Sequence, residues 1–224
     1  MKCACTVIVM AKAPAPGFAK TRLISALGAL GAAQLATQLL NHAVAQALAA
    51  TLGPVDLCCA PDPAHPAFAA LAFRRGLRLT SQVEGDLGAR MGHAFERGLA
   101  LSHSVLMIGT DAPAVDAALL QTAAHALMKT DAVFVPALDG GYALIGLRQA
   151  APSLFSNMRW SCASVMADTR IRLQALHMQH VELAAVADID EPADLIHLPS
   201  SHLPLGGNEA PHSAPPSFTY FAIF

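Results

Sequence analysis

The sequence predicts an α/β fold built on a mostly parallel, mixed sheet, and two observations carry that prediction. Short apolar runs of strand-compatible residues recur at 6–11, 55–60, 105–108, 132–136 and 142–147, and helical periodicity fills several of the intervals between them. Within these runs apolar residues are continuous, not alternating with polar ones, as strands covered by helices on both faces require.

The first run, Thr6-Val7-Ile8-Val9-Met10-Ala11, follows a short basic start that has the charge and length of a secretory leader. Lys12 and a Pro-Gly segment stand where a small-residue cleavage site is needed, so the run reads as a buried first strand. Residues 29–52 repeat apolar positions at helical spacing. Gln34, Gln38, Asn41, His42 and Gln46 interrupt the Ala/Leu stretch short of membrane-spanning length, so a soluble helix and no membrane span are expected. Further helices are predicted at 64–75, 87–102, 115–128 and 161–176, the second of them capped by Asp86. Asp139-Gly140-Gly141 separates the last two strand runs and is a turn signal for an antiparallel excursion, which makes the sheet mixed.

A chain of 224 residues, 54% hydrophobic and 13% charged, fits one domain, placed at 1–198. Its net charge of -2 offers no basic field for nucleic acid, so any phosphate recognition has to be local. From 199 to 224 the composition turns to Pro, Ser and His, which predicts an extended or disordered tail. Its last residues, 218–224, are apolar enough to dock on the domain or on a second subunit, which leaves a homo-oligomer open. Cys3, Cys5, Cys58 and Cys59 fall in apolar runs without the spacing of a closed zinc site, as expected for packed thiols of a cytoplasmic protein.

Chemistry concentrates in a few segments. Ala11-Lys12-Ala13-Pro14-Ala15-Pro16-Gly17-Phe18-Ala19-Lys20-Thr21-Arg22-Leu23 leaves the first strand through a stiff loop whose Lys12, Lys20 and Arg22 could neutralise a diphosphate. It is no P-loop, because Ala19 and Pro14 stand where that motif needs glycine. Ile108-Gly109-Thr110-Asp111 places a carboxylate at the end of a buried strand, where it is either a ligand for a hard cation or the cap of the next helix. Asp139 precedes two glycines that permit close approach of a ligand, or simply form a hairpin. In Asp188-Ile189-Asp190-Glu191-Pro192-Ala193-Asp194, alternating carboxylates precede a short helix. Either one face of these carboxylates looks into the site, or Asp190 is the helix cap and Asp194 a solvated charge. Gln82 and Gly88 flank a glycine-containing turn before a helix N-terminus.

Taken together and in this order, these segments resemble the DUF2064, or selenodomain-associated transferase 1, family of bacterial GT-A-type transferases. That family is related to sugar-nucleotide transferases and to molybdenum-cofactor and phospholactate nucleotidyltransferases. The resemblance runs from about Val7 to Leu195, and Gly85-Asp86-Leu87-Gly88 with Arg90-Met91 and Asp139-Gly140-Gly141-Tyr142 are among its most specific pieces. It implies a GT-A (Rossmann-like) three-layer sandwich. It implies a nucleotide over Ala11, Lys12, Pro14, Gly17, Lys20 and Arg22, with the base near Gln82 and Gly88. It also implies Mg²⁺ or Mn²⁺ at Asp111 with Asp139 or Asp188, and an acceptor side at Tyr142, Trp160 and Ser161. Ala112, Leu138 and Ala143 depart from the family pattern, which often has cysteine, an acidic residue and tyrosine there, and these departures fall on the acceptor side.

The function this implies is metal-dependent transfer from a nucleoside-diphosphate sugar to a small acceptor, with Lys20, Asp111 and Asp139 as the catalytic candidates. One alternative is nucleotidyl transfer from a nucleoside triphosphate with release of pyrophosphate, and another is a non-catalytic nucleotide-binding module whose carboxylates only cap helices.

Overall fold

The computed structural model describes residues 3–198; the tail predicted at 199–224 and its apolar end lie outside the described residues. The chain runs β1 (Cys3–Lys12), α1 (Ile24–Ala49), β2 (Val55–Ala60), α2 (Pro66–Ala69), β3 (Leu77–Ser81), α3 (Leu87–Leu101), β4 (Ser102–Ile108), α4 (Ala117–Ala126), β5 (Ala132–Pro136), β6 (Tyr142–Leu147), α5 (Val165–Ala175) and β7 (His180–Glu182). The strands form one sheet in the order β3-β2-β1-β4-β6-β5-β7. β1 pairs in parallel with β2 and β4, and β5 with β7, whereas β6 runs antiparallel to β4 and β5. The sheet is therefore mixed through the Asp139-Gly140-Gly141 turn, as the sequence predicts.

Successive strand residues point to opposite faces, and each face carries its own core. Val7, Val9, Leu106, Ile108, Val133 and Val135 pack on the side that also holds Leu40, Val44, Leu120 and Leu127 of the first and fourth helical segments. Ile8, Val105, Met107 and Phe134 face the other way, against Met91 and Phe95 of α3 and Leu173 of α5. Helices on both faces of one sheet make the three-layer sandwich.

α1 has a break at Gly28 (φ 70°, ψ 166°), so its regular portion begins where the apolar periodicity places it. The stretch 21–49 is long and apolar enough to cross a membrane by length and composition. In the fold, Ala32, Leu35, Leu39, Leu40, Val44 and Ala47 are buried in the protein core. Cys5, Cys58 and Cys59 are buried free thiols.

Several elements differ from expectation. The helix predicted at 64–75 shrinks to α2, because Pro66 opens a single turn and Phe68 and Leu71 already anchor it in the core. β3 and β7 were not predicted; both are edge strands whose partly exposed, polar-containing sequences lack a continuous apolar run. Asp116, not Asp111, caps α4, accepting from Leu119 N at 2.8 Å. Asp194 is no solvated charge: its carboxylate accepts from Asp190 N at 3.0 Å and from Glu191 N at 2.7 Å. Asp190 is thereby freed from the capping role expected of it.

After β3, α3 carries the chain back past β1 to β4, so the strand order reverses between β1 and β4. The C-terminal ends of two parallel strands diverge there, and such a crevice is where open α/β sheets bind ligands.

Candidate functional site

The loop after β1 is pinned at its start and folded on itself. Ala13 N donates to Ala60 O at 2.8 Å, and Phe18 N and Ala19 N both donate to Ala15 O at 3.0 Å. This turn delivers Lys20 in a left-handed backbone conformation (φ 48°, ψ 47°), which costs a non-glycine residue on the order of 1 kcal/mol or more and is often found where function fixes a side chain.

The Lys20 ammonium meets residues from two distant segments. It is ion-paired with Asp111, which follows β4, and donates to Asp190 Oδ1 at 2.8 Å and to Ile189 O at 2.6 Å. The Lys20 side chain is 7% exposed, whereas Asp111 and Asp190 are 48% and 41% exposed, so the lysine approaches from the protein side and the carboxylates open to solvent. Burial works against the charged lysine, but Asp111 and Asp190 outweigh it and hold the ammonium above the ordinary lysine range. The carboxylate segment is fixed by Ile189 N donating to Asp111 O at 2.8 Å and by the Asp194 bonds.

Beside this contact lies a cavity of about 280 Å³ bordered by Arg22, Asp139, Asp188, Asp190, Glu191 and Asp194. Burial, followed by the neighbouring Asp139 and Asp190 carboxylates, pushes the Asp188 carboxyl up. Asp139 Oδ1 accepts from Gly141 N at 2.8 Å, which fixes the turn. Arg22 reaches Glu191 at 3.7 Å with both side chains largely exposed.

Among the described residues no three His, Cys, Asp or Glu side chains gather as a metal site. The predicted set Asp111, Asp139 and Asp188 is therefore not assembled. The oxygens that do converge belong to Asp111, Asp190 and the Ile189 carbonyl, and the cation among them is the Lys20 ammonium. An all-oxygen donor set of two carboxylates and a carbonyl is the chemistry that suits Mg²⁺ or Mn²⁺.

On the nucleotide side the predicted residues divide. Lys12, Gly17 and Arg22 are exposed, and Gly17 (φ 80°) has open space around it. Ala11 and Pro14 are buried. The Gln82 amide nitrogen donates to Ala11 O at 3.1 Å and Cys58 O at 2.9 Å, bracing the ends of β1 and β2. Gly88 is covered: a Cβ there would lie 2.4 Å from Phe155 O and 3.0 Å from Trp160 Nε1. Its small size serves the packing of α3 against residues 155–160, and it also borders a cavity with Asp86, Ala89, Gly92 and His93.

On the acceptor side, Tyr142 and Trp160 pack against the same core cluster. Tyr142 meets Phe134 edge-on at 5.6 Å, and burial pushes its hydroxyl well up. Trp160 Nε1 is buried with no hydrogen-bond partner among the described residues. Ser161 is exposed and left-handed (φ 58°). Gly140 (φ 94°) fits directly under Ala163, where a Cβ would come 2.2 Å from the carbonyl oxygen, and Met166 N donates to Gly140 O at 2.9 Å. The Asp139 turn and the 160–164 loop thus form one locked unit.

Asp190, a candidate cap in a segment whose carboxylates could also face the site, is the second carboxylate on Lys20. One polar feature was not anticipated. Asp56, 1% exposed in β2 beside the edge strand β3, accepts from Arg97 at 2.9 Å, Arg78 at 3.1 Å and Thr80 at 2.7 Å. A lone aspartate inside the apolar run Val55-Asp56-Leu57-Cys58-Cys59 is the signal that could have found it.

A family model described as an uncharacterized protein conserved in bacteria (DUF2064) matches residues 43–162. A structure from Desulfovibrio desulfuricans G20, provisionally assigned as a nucleotide-diphospho-sugar transferase, is 30% identical and covers 85% of this chain and 84% of its own, with a TM-score of 0.78. CMP:2-keto-3-deoxy-manno-octonic acid synthetase, in complex with CTP, is 10% identical over 87% of this chain and 96% of its own, with a TM-score of 0.57. Rv0371c from Mycobacterium tuberculosis H37Rv, in complex with manganese, is 17% identical over 88% and 98%, with a TM-score of 0.53. The last two likenesses are of fold alone. No curated protein matches the chain in sequence.

Proposed function

Because the chain belongs to the DUF2064 family of bacterial proteins, we propose that it is a metal-dependent transferase that takes its group from a nucleoside-diphosphate sugar. The observation that carries this is the meeting of Lys20, from the first loop, with Asp111 and Asp190 at the point where the strand order reverses. The 30% identical relative assigned to nucleotide-diphospho-sugar chemistry supports the donor class. The manganese in Rv0371c supports the cofactor, which Asp111 and Asp190 would hold with Asp188 and Asp139 bordering the same cavity. Held there, a divalent ion would supply charge stabilisation for a departing diphosphate.

The chain's own residues supply the rest. The exposed cations Lys12, the last residue of β1, and Arg22, in the turn that ends the following loop, flank that loop and can orient phosphate oxygens, the arginine through its fork. The locked unit of the Asp139 turn and the 160–164 loop forms a rigid wall for an acceptor. Nucleotidyl transfer from a nucleoside triphosphate is the second reading, favoured by the fold shared with the CTP-bound synthetase over 96% of that chain.

Thermal shift against nucleoside-diphosphate sugars and nucleoside triphosphates, with and without Mn²⁺, tests the proposal. Mn²⁺-dependent stabilisation by a nucleotide sugar is expected. Preference for a triphosphate moves the assignment to nucleotidyl transfer, and no response to any nucleotide refutes both.

A further inference from the structure

The Lys20 ammonium sits in a cradle of protein oxygens. Three oxygens, from Asp111, Asp190 and Ile189, surround it, and two of them carry full negative charge. A single positive charge leaves that cradle net negative, whereas a divalent ion would neutralise it. The two carboxylates are roughly half exposed while the lysine is 7% exposed, so an ion can enter from solvent on the side opposite the lysine stem. The backbone of Lys20 is held by the turn bonds of the 13–20 loop and by the Leu23 N to Lys20 O bond of 2.9 Å. Any departure of the ammonium is therefore a swing about the flexible four-carbon stem, with the loop staying in place.

We infer that Lys20 is an intramolecular competitor for the divalent cation, filling the Asp111–Asp190 cradle in the free protein and released from it when the ion binds. The inference rests on the proposed metal-dependent reading and adds an order of events to it. Once displaced, the ammonium still starts from the loop that Lys12 and Arg22 flank, so a diphosphate arriving with the metal gives it a new partner. Metal and nucleotide binding are then coupled through one side chain. The free protein keeps the two carboxylates compensated and binds metal alone weakly.

The test is titration of the nucleotide-free protein with Mn²⁺, followed by electron paramagnetic resonance of the free ion. Lys20→Met, which keeps the stem and removes the charge, is expected to bind Mn²⁺ at least about ten-fold more tightly than the unsubstituted protein, a factor within the usual range of site coupling. Affinity equal to or below that of the unsubstituted protein overturns the inference. A second measurement needs no variant: acetylation of Lys20 by acetic anhydride, read by peptide mass spectrometry against the exposed Lys12 and Lys129. Saturating Mn²⁺ should raise relative labelling of Lys20 several-fold, and unchanged labelling counts against release. If nucleotide sugar with Mn²⁺ still binds the unsubstituted protein while Lys20→Met gains nothing, the competition fails and the transferase assignment survives. If Mn²⁺ releases Lys20 but no nucleotide binds, the competition stands and the transferase assignment fails.

Discussion

Gly140→Ala separates two costs that the structure assigns to one atom. The residue has φ 94°, a conformation that disfavours any side chain, and its added Cβ would lie 2.2 Å from Ala163 O and 2.7 Å from Ala163 C and Cα. These are backbone atoms of the neighbouring loop, so no rotamer change relieves the overlap. Left-handed placement of alanine costs about 1 kcal/mol, and overpacking against a fixed neighbour typically costs about 1–3 kcal/mol more. Gly17→Ala is the internal control, because Gly17 has a similar φ of 80° and nothing within 4 Å of its Cβ position. Urea unfolding of both variants should place Gly140→Ala about 1–3 kcal/mol below Gly17→Ala, or roughly 2–12 °C in Tm for a chain of this size. Equal destabilisation of the two would show that the Asp139 turn and the 160–164 loop are not packed as described and would remove the rigid acceptor wall.

Asp56→Ala should destabilise the protein by about 1–3 kcal/mol in the same assay, because it leaves Arg97 and Thr80 without their buried carboxylate while the partly exposed arginines regain water; no measurable loss refutes the network's structural role. Cysteine reactivity should be selective. The Ser164 hydroxyl and backbone lower the half-buried Cys162 thiol, whereas burial pushes Cys59 up to about 12, so iodoacetamide near neutral pH should modify Cys162 before the buried Cys5, Cys58 and Cys59. Equal rates in the native protein would contradict this.

The strands that lie inside the sheet were the most legible part of the fold. β2, β5 and β6 occupy the residues their apolar runs mark, because both faces of each are covered and their sequences record it. β3 and β7 left weaker traces because edge strands keep one side open, and Leu77-Arg78-Leu79-Thr80 is too short and too polar to stand out. At the site, the chemistry of Lys20 and Asp111 was readable from a cationic loop and a strand-end carboxylate. Their direct pairing was not, because it depends on Asp190, 170 residues from Lys20, and on the Asp194 carboxylate that holds that segment in place. Gly88 shows a reason for glycine that no local sequence pattern carries: the close approach it permits to Trp160 and Phe155.

The most direct test is calorimetric titration of the unsubstituted protein and Asp111→Asn with whichever nucleotide stabilises the protein best, each with Mn²⁺ and with EDTA. Mn²⁺ should tighten nucleotide binding to the unsubstituted protein by at least about ten-fold, and that gain should vanish in Asp111→Asn while its unfolding midpoint stays within a few degrees. An Asp111→Asn protein that keeps the full Mn²⁺-dependent gain would place the metal and the nucleotide elsewhere on the fold.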